Sequence, residues 1–417
     1  MKNIILSQKL ERDFLRERGC IARDGLDAAR SAIENALIKV IIGPRRAGKS
    51  VFALQMLQGR EFAYVNFDDD RLLGCTDFDA LLNAIAQVYG DVRLFFFDEI
   101  QNITGWELFV NRLHRQGYNL VLTGSNAHLL SRELATHLTG RYREFRIFPF
   151  SFSEFLRAKG FVLDETISLQ ERQGVLLNHL QYYLHNGGFP ETVVGGVEVA
   201  NYLATLFESV LLKDVVRRYN VRYAGRLLEL GRYLMANHAR EYTFSSVAKA
   251  LGFGSVHTLE NYIGYLAEAF LLFSVNRFSW KARKRVQAPR KVYASDPGFV
   301  AAVGFKAGAD SGPLLESLIA IELARQGQEF YTYKEPGGKE VDFVVRKNGT
   351  TSDLIQVCYD LSDPKTKKRE ISGLLCAEKE MACENLLILT WEEEDLIMQE
   401  GRNIKVLPVW KWLTETA

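Results

Sequence analysis

Residues 43–50 read Gly43-Pro44-Arg45-Arg46-Ala47-Gly48-Lys49-Ser50 and are followed by Val51, an unbroken G-x-x-x-x-G-K-[ST] pattern. Glycines let the main chain curl until successive amides point at one anion, and a helix beginning there adds its N-terminal field. Gly43 to Val51 are therefore expected to cradle the phosphates of a nucleotide. Lys49 is expected to reach the β- and γ-phosphates, and the Ser50 hydroxyl to hold Mg²⁺. Two adjacent carboxylates, Asp98 and Glu99, close the apolar run Leu94–Phe97. Asp98 is expected in the Mg²⁺ shell and Glu99 to polarise an attacking water. Ser125 and Asn126 follow a third apolar run and could sit beside the γ-phosphate; they could equally cap the next helix.

These groups need elements to hold them. The apolar run Leu37–Ile42 suits a buried strand before the loop, and Ser50–Leu57 suits a helix after it. Short apolar strands are predicted at 36–42, 62–67, 93–97, 118–123 and 144–148. Helices are predicted between them at 49–58, 78–89, 105–116 and 127–137, with Asp77 as an N-cap. Strands alternating with helices imply an α/β fold with a doubly wound parallel sheet. The four apolar residues Leu94–Phe97 suit a strand covered on both faces. The acidic pair then falls at a strand's carboxyl end, where open α/β sheets bind ligands.

Beyond Pro149 the strand pattern stops. Residues 151–235 have helical period, broken by Gly187-Gly188-Phe189-Pro190, and are expected to form a lid over the nucleotide. That break either faces the nucleotide or is an interhelical turn. Residues 241–294 read as helix–turn–helix and hairpin, hence a winged helix. The helix over 256–269 turns Leu259, Tyr262, Ile263 and Leu266 inward, with Ser255, His257, Thr258, Asn261 and Tyr265 on its other face. Strands near 270–278 and 291–294 flank a segment with seven basic residues and no acidic one over 277–291. Such a wing could contact DNA phosphates, or could be a solvated or protein-contacting loop.

The last segment reads as helix (313–326), strands (329–334, 340–346, 353–359), helix (364–380) and strand (385–391). Glu316, Asp342 and Gln356 fall on the first helix, second strand and third strand. Carboxylates placed so could share a divalent metal and activate water on a phosphodiester. The order resembles the PD-(D/E)XK nuclease fold. Its acid-x-Lys, however, is Gln356-x-Cys358 here, so the site is degenerate and the domain is expected to be inactive. Lys334 or Lys367 could substitute from a neighbouring element.

The chain of 417 residues has a formal net charge of +1, so no global field argues for nucleic acid or membrane and any basic surface must be local. Five cysteines lack C-x-x-C spacing, which suits reduced thiols and gives no zinc site. No apolar run approaches the roughly 18 residues that a membrane span needs. The start is charged too early for a signal peptide. A soluble, cytoplasmic protein is expected.

Phe97-Asp98-Glu99-Ile100-Gln101, Thr123–Ala127, Leu138–Arg141, Phe148–Phe155, Gly187–Pro190, Lys291–Asp296, Glu340–Val344 and Leu354–Val357 join the phosphate loop in a set spanning nearly the whole chain. In this the chain resembles a bacterial and archaeal family of AAA+-type P-loop ATPases with a winged helix and a C-terminal domain of unknown function. The resemblance implies an N-terminal helical segment (1–30), an ATPase core (31–150), a helical lid (151–235), a winged helix (236–300) and a nuclease-like domain (301–417). It also implies that Arg141, with Arg143 as second choice, completes a neighbouring subunit's site, although a salt bridge within the subunit would look the same in sequence. The resulting expectation is an oligomeric, ATP- and Mg²⁺-using hydrolase that couples nucleotide state to DNA binding or remodelling. The alternatives are a slow nucleotide switch recruiting protein partners and, below it, an ATP-gated nuclease.

Overall fold

The computed structural model describes residues 1–17, 19–125, 140–304 and 311–415. They form two compact units, Met1–Pro149 with Glu268–Phe270, and Phe150–Ala267 with Leu271–Ala417.

The first unit opens with α1 (Lys2–Glu17) and α2 (Leu26–Ala32). There follow β1 (Ile38–Ile42), α3 (Lys49–Met56), β2 (Ala63–Asn66), α4 (Phe78–Tyr89), β3 (Leu94–Asp98), α5 (Trp106–Arg115), β4 (Asn119–Gly124) and β5 (Tyr142–Arg146). The strands lie in the order β2-β3-β4-β1-β5, all parallel. The two-residue period of a strand divides the apolar runs between two cores. Val40, Ile42, Phe95 and Phe97 pack with Leu81 and Ile85 of α4 and Phe109 and Leu113 of α5. Ile41, Phe96 and Val121 pack on the other face with Ala29 of α2 and Phe52 and Met56 of α3. Each of these side chains larger than alanine contributes roughly 1.5–3 kcal/mol on burial. The Asp77 carboxylate accepts from the Ala80 amide and so caps α4.

The last strand covers 142–146 rather than 144–148. Its span is set by its partner: Ile38 donates to the Arg141 carbonyl, and Ile42 stands opposite Arg146. The polar Tyr142-Arg-Glu-Phe-Arg146 suits this edge position and hid the strand's start. The helix expected over 127–137 lies outside the described residues.

The second unit begins with α6 (Phe152–Ala158), α7 (Gln170–Asn186), α8 (Pro190–Val194), α9 (Val199–Val210) and α10 (Ala224–Ala236), with a π-helical turn over Leu211–Val216. Ser151 and Glu154 form a reciprocal capping box on α6. The Gly187–Pro190 break is a turn between two helices, packed against Asp296. A Cβ on Gly187, at φ +71°, would lie 1.8 Å from Asp296 Oδ1. The Gly188 amide donates to Asp296 Oδ2 at 2.9 Å.

Next come β6 (Glu241–Tyr242), α11 (Phe244–Leu251), α12 (Val256–Glu268), β7 (Leu272–Asn276), α13 (Ala282–Gln287), β8 (Arg290–Ala294) and α14 (Pro297–Val303). The strands form an antiparallel sheet in the order β6-β8-β7. Thr243 and Ser246 box the start of α11, and Gly252 ends it at φ +67°. Leu259, Tyr262, Ile263 and Leu266 of α12 are buried. Tyr265, expected on the free face, stacks on Tyr219 with centroids 3.9 Å apart. The basic connection is not a plain loop, because Ala282–Gln287 form α13, a run of good helix formers stopped before Pro289.

The chain ends with α15 (Ser311–Arg325), β9 (Glu329–Lys334), β10 (Glu340–Lys347), β11 (Thr350–Val357), α16 (Pro364–Met381), β12 (Leu386–Thr390), β13 (Asp395–Gln399), β14 (Arg402–Pro408) and α17 (Val409–Glu415). Its sheet runs β13-β14-β12-β11-β10-β9. The β13–β14 hairpin was not expected, since β13 is largely exposed and follows the acidic run Glu392–Glu394, which reads as loop. Among the described residues, no helix is long and apolar enough to cross a membrane.

Candidate functional site

The phosphate loop curls where its letters require. A Cβ on Gly43 would lie 1.9 Å from the Ile147 carbonyl oxygen, so only glycine lets the loop leave β1 beside the chain end of β5. Arg46 (φ +67°) and Gly48 (φ +93°) take left-handed backbone, turning the chain into the start of α3. No side chain caps that helix start. Arg23 braces the loop from outside it, donating to the Ala47 carbonyl at 2.8 Å and the Phe148 carbonyl at 2.6 Å.

Lys49, Ser50, Asp98 and Glu99 converge at the carboxyl ends of β1 and β3. Lys49 Nζ donates to the Pro44 carbonyl at 3.0 Å and lies 3.5 Å from Glu99 Oε1. Ser50 Oγ donates to Asp98 Oδ1 at 2.9 Å. Thr123 Oγ1 donates to the same Asp98 oxygen and accepts from the Glu99 amide at 2.9 Å. Tyr64 donates to Asp98 Oδ2 at 3.3 Å. Glu99 has left-handed backbone, φ +50°, which aims its side chain out of the strand's path. Gln101 Nε2 donates to Glu99 Oε2 at 2.5 Å and reaches Ser125 Oγ at 3.5 Å.

The two carboxylates are held apart electrically. Burial, then the negative charge of Glu99, pushes Asp98 up to about 6. Burial also opposes the Glu99 charge, but Lys49 and the Gln101 bond outweigh it and hold its pKa below the usual carboxylate range. A hydroxyl and a carboxylate 2.9 Å apart, with excess buried negative charge, form a hard-oxygen donor set that fits Mg²⁺.

The remaining loop residues divide. Ala47 is buried and Val51 half-buried, while Arg45 turns to Asp68 at 3.2 Å. Ser125 is buried at the end of β4, beside Gln101. Asn126 lies outside the described residues. Arg141 is exposed just before β5, and Arg143 is exposed with its guanidinium 5.1 Å from the Phe145 ring centroid. Thr123, Gln101, Tyr64 and Arg23 were not singled out from sequence. Gln101 stood inside the 97–101 motif and Thr123 opened the 123–127 motif, but a hydroxyl and an amide carry no charge signature. Arg23 had no signal.

The second set, Glu316, Asp342 and Gln356, also comes together, with a cation the sequence did not assign to it. Lys291 of β8 lies 2.8 Å from Glu316 Oε1 and 3.3 Å from Asp342 Oδ1. Tyr293 donates to Glu316 Oε1 at 2.6 Å. Asp342 Oδ2 accepts from the Val357 amide at 3.0 Å. Gln356 Oε1 accepts from the Asp342 amide at 3.1 Å, and its Nε2 donates to Glu370. Lys334 pairs with Glu340 and Lys367 with Asp395 instead, so neither supplies a lysine here. Lys291 therefore leaves the set of wing cations, as does Arg277, which pairs with Glu241. Among the described residues, no group of three or more His, Cys, Asp or Glu is placed to hold a metal ion.

A known domain family covers the phosphate loop. Residues 35–156 match the AAA domain family, and residues 177–310 match a domain of unknown function (DUF8612). The chain is 32% identical over 442 residues to the uncharacterized protein MJ1544 of Methanocaldococcus jannaschii, covering 99% of this chain and 98% of that protein. It is 32% identical over 344 residues to an uncharacterized protein of Haemophilus influenzae, covering 78% and 83% of the two. A solved structure, the Walker-type ATPase PABY2304 of Pyrococcus abyssi, is similar over 68% of this chain and 96% of its own, at 15% identity and a TM-score of 0.43.

Proposed function

Since the chain belongs to the family of the uncharacterized protein MJ1544 and residues 35–156 carry an AAA domain, we propose that it is an oligomeric ATP hydrolase coupling nucleotide state to DNA. The observation carrying the reading is the meeting of Lys49, Ser50, Asp98 and Glu99 beside a curled main chain at a sheet's carboxyl end. Main-chain amides of 43–50 and the Lys49 ammonium bind the triphosphate. Ser50 and Asp98 would hold Mg²⁺, which would neutralise charge on the β- and γ-phosphates. Glu99 orients the attacking water and takes its proton, with Gln101 fixing the carboxylate. Ser125, reached through Gln101, senses the terminal phosphate. Arg141, exposed at the start of β5, is the residue proposed to reach a neighbouring subunit. Residues 241–294 act as a winged helix, with the basic connection toward DNA.

Lys49 is engaged by Glu99 and by the Pro44 carbonyl. This supports a second reading, a slow switch whose turnover waits until phosphate takes Lys49 away from Glu99. A nuclease reading is disfavoured by Lys291, whose ammonium already stands between Glu316 and Asp342. The test measures ATP binding and phosphate release by the full chain, with and without duplex DNA. Lys49→Ala is expected to weaken binding, and Glu99→Gln to keep binding while release stops. Unchanged release by Glu99→Gln would remove the catalytic assignment. Release indifferent to DNA would leave the switch reading in its place.

A further inference from the structure

We propose that the β7–β8 connection binds single-stranded nucleic acid, with Trp280 as a stacking platform for an unpaired base. The inference rests on reading this segment as the DNA-facing surface and names the form of nucleic acid that it takes. Trp280 is 59% exposed, the most exposed of the five tryptophans. The ring is not left loose. The buried Phe278 meets it edge-on with centroids 5.0 Å apart, and the Arg346 guanidinium of β10 lies 5.7 Å from its centroid. An indole braced by its neighbours and still open to solvent over most of its surface loses little freedom when a base stacks on it.

The charge beside it has one sign. Lys281, Arg283 and Lys284 are exposed and have no ion-pair partner among the described residues. No acidic residue occurs over 277–291. In a chain of net charge +1, three unneutralised cations within four residues of an exposed indole are a local device. Arg285 is spent on structure, its guanidinium lying 5.6 Å from the Tyr331 ring. Phosphates satisfy the cations, and a base satisfies the ring. A closed duplex buries its base faces in its own stack, whereas a single strand offers a face beside every phosphate. A duplex would engage only the cations.

The experiment titrates the full chain with a short oligothymidylate, a blunt duplex of matched length, and phosphatidylglycerol vesicles, read by tryptophan emission and by anisotropy of labelled DNA. The oligothymidylate is expected to quench emission. Trp280→Ala should remove the quench and weaken binding by about 10-fold or more, whereas Trp280→Phe should keep most of the affinity. Changing Lys281, Arg283 and Lys284 to Gln should flatten the plot of log affinity against log salt by about 2. Thermal unfolding of each variant separates a folding defect from a lost contact. Undiminished oligothymidylate binding by Trp280→Ala would overturn the stacking role. Duplex binding as tight as single-strand binding would also overturn it, while leaving the DNA-facing reading intact. Binding to vesicles alone, or to no polyanion, would overturn both.

Discussion

Two places in this molecule bring one lysine to a pair of carboxylates. At the first, Lys49 lies 3.5 Å from Glu99, beside Asp98. At the second, Lys291 lies 2.8 Å from Glu316 and 3.3 Å from Asp342. Their formal charges are identical, and all the lysine side chains involved are largely shielded from solvent. The difference is in the main chain. At the first site the lysine begins a helix whose N-terminus no side chain caps, after a loop turned by Arg46 and Gly48 in left-handed backbone. At the second site the lysine lies within a strand, with Tyr293 donating to Glu316, the Val357 amide to Asp342, and Gln356 to Glu370. Side-chain donors engage the carboxylates at both sites, so equal charges are set apart by the backbone: a curled glycine loop and a helix start suit a ligand site, and a strand buried against a helix suits a structural lock.

The contrast is tested most strongly by Glu99→Gln. Loss of a general base should lower turnover by about 10²–10⁴-fold while nucleotide affinity, measured by calorimetry, stays close to that of the unchanged chain. A parallel fall in both would make Glu99 a binding group. The next largest effect belongs to the other lysine. Lys291→Met strands two buried carboxylates and should cost about 3–5 kcal/mol of stability, a large drop in melting temperature by calorimetry. Adding Glu316→Gln and Asp342→Asn should restore most of it, because the uncompensated charges are then gone. Lys49→Met should behave in the opposite way, with a modest change in melting temperature and ATP affinity about 10- to 100-fold weaker, the value of a charge-assisted contact. If the two lysine variants gave the same pair of readouts, the division into ligand site and lock would fail. Gln101→Leu is expected to act more gently, slowing turnover about 10-fold with little change in apparent affinity, since it removes only the donor that fixes Glu99 Oε2.

The same contrast explains what could be read from the residues alone. The curl of Gly43–Ser50 and the place of Asp98-Glu99 at a strand's end were readable because short-range backbone rules set each within a contiguous stretch. The parallel sheet was readable for a similar reason, in the double-sided apolar runs of β1, β3 and β4. Lys291 was not. It stands in a basic run and counts there as one more wing cation, yet β8 turns its ammonium to Glu316 and Asp342, 25 and 51 residues away. Which face of a strand a residue takes follows from pairing with β6 and β7, and that pairing is invisible locally. Tyr265 misled in the same way, being polar enough for a free face and flat enough to stack on Tyr219. The β13–β14 hairpin was lost because an exposed strand lacks an apolar alternation to announce it.

The lock should also leave a trace in the pH dependence of stability. Glu316 is buried beside Asp342, and these two influences, opposed by Lys291 and Tyr293, push its carboxyl up to about 7 from an ordinary value near 4.5. Burial works against the Lys291 charge as well, but Glu316 and Asp342 outweigh it, so that its pKa stays above the usual lysine value and the ammonium persists throughout. One lysine and two carboxylates then reach neutrality by keeping a proton on Glu316. Between about pH 4.5 and 7 the folded chain holds that proton while the unfolded chain has released it. Folded protein therefore binds more protons in this window, and the stability this group contributes falls as pH rises through it. Glu316→Gln mimics the protonated form at every pH, so its melting temperature should fall less from pH 5 to pH 7 than that of the unchanged chain. Identical slopes for the two proteins would mean that Glu316 is already ionised at pH 5 and that the lock is a fully charged triad.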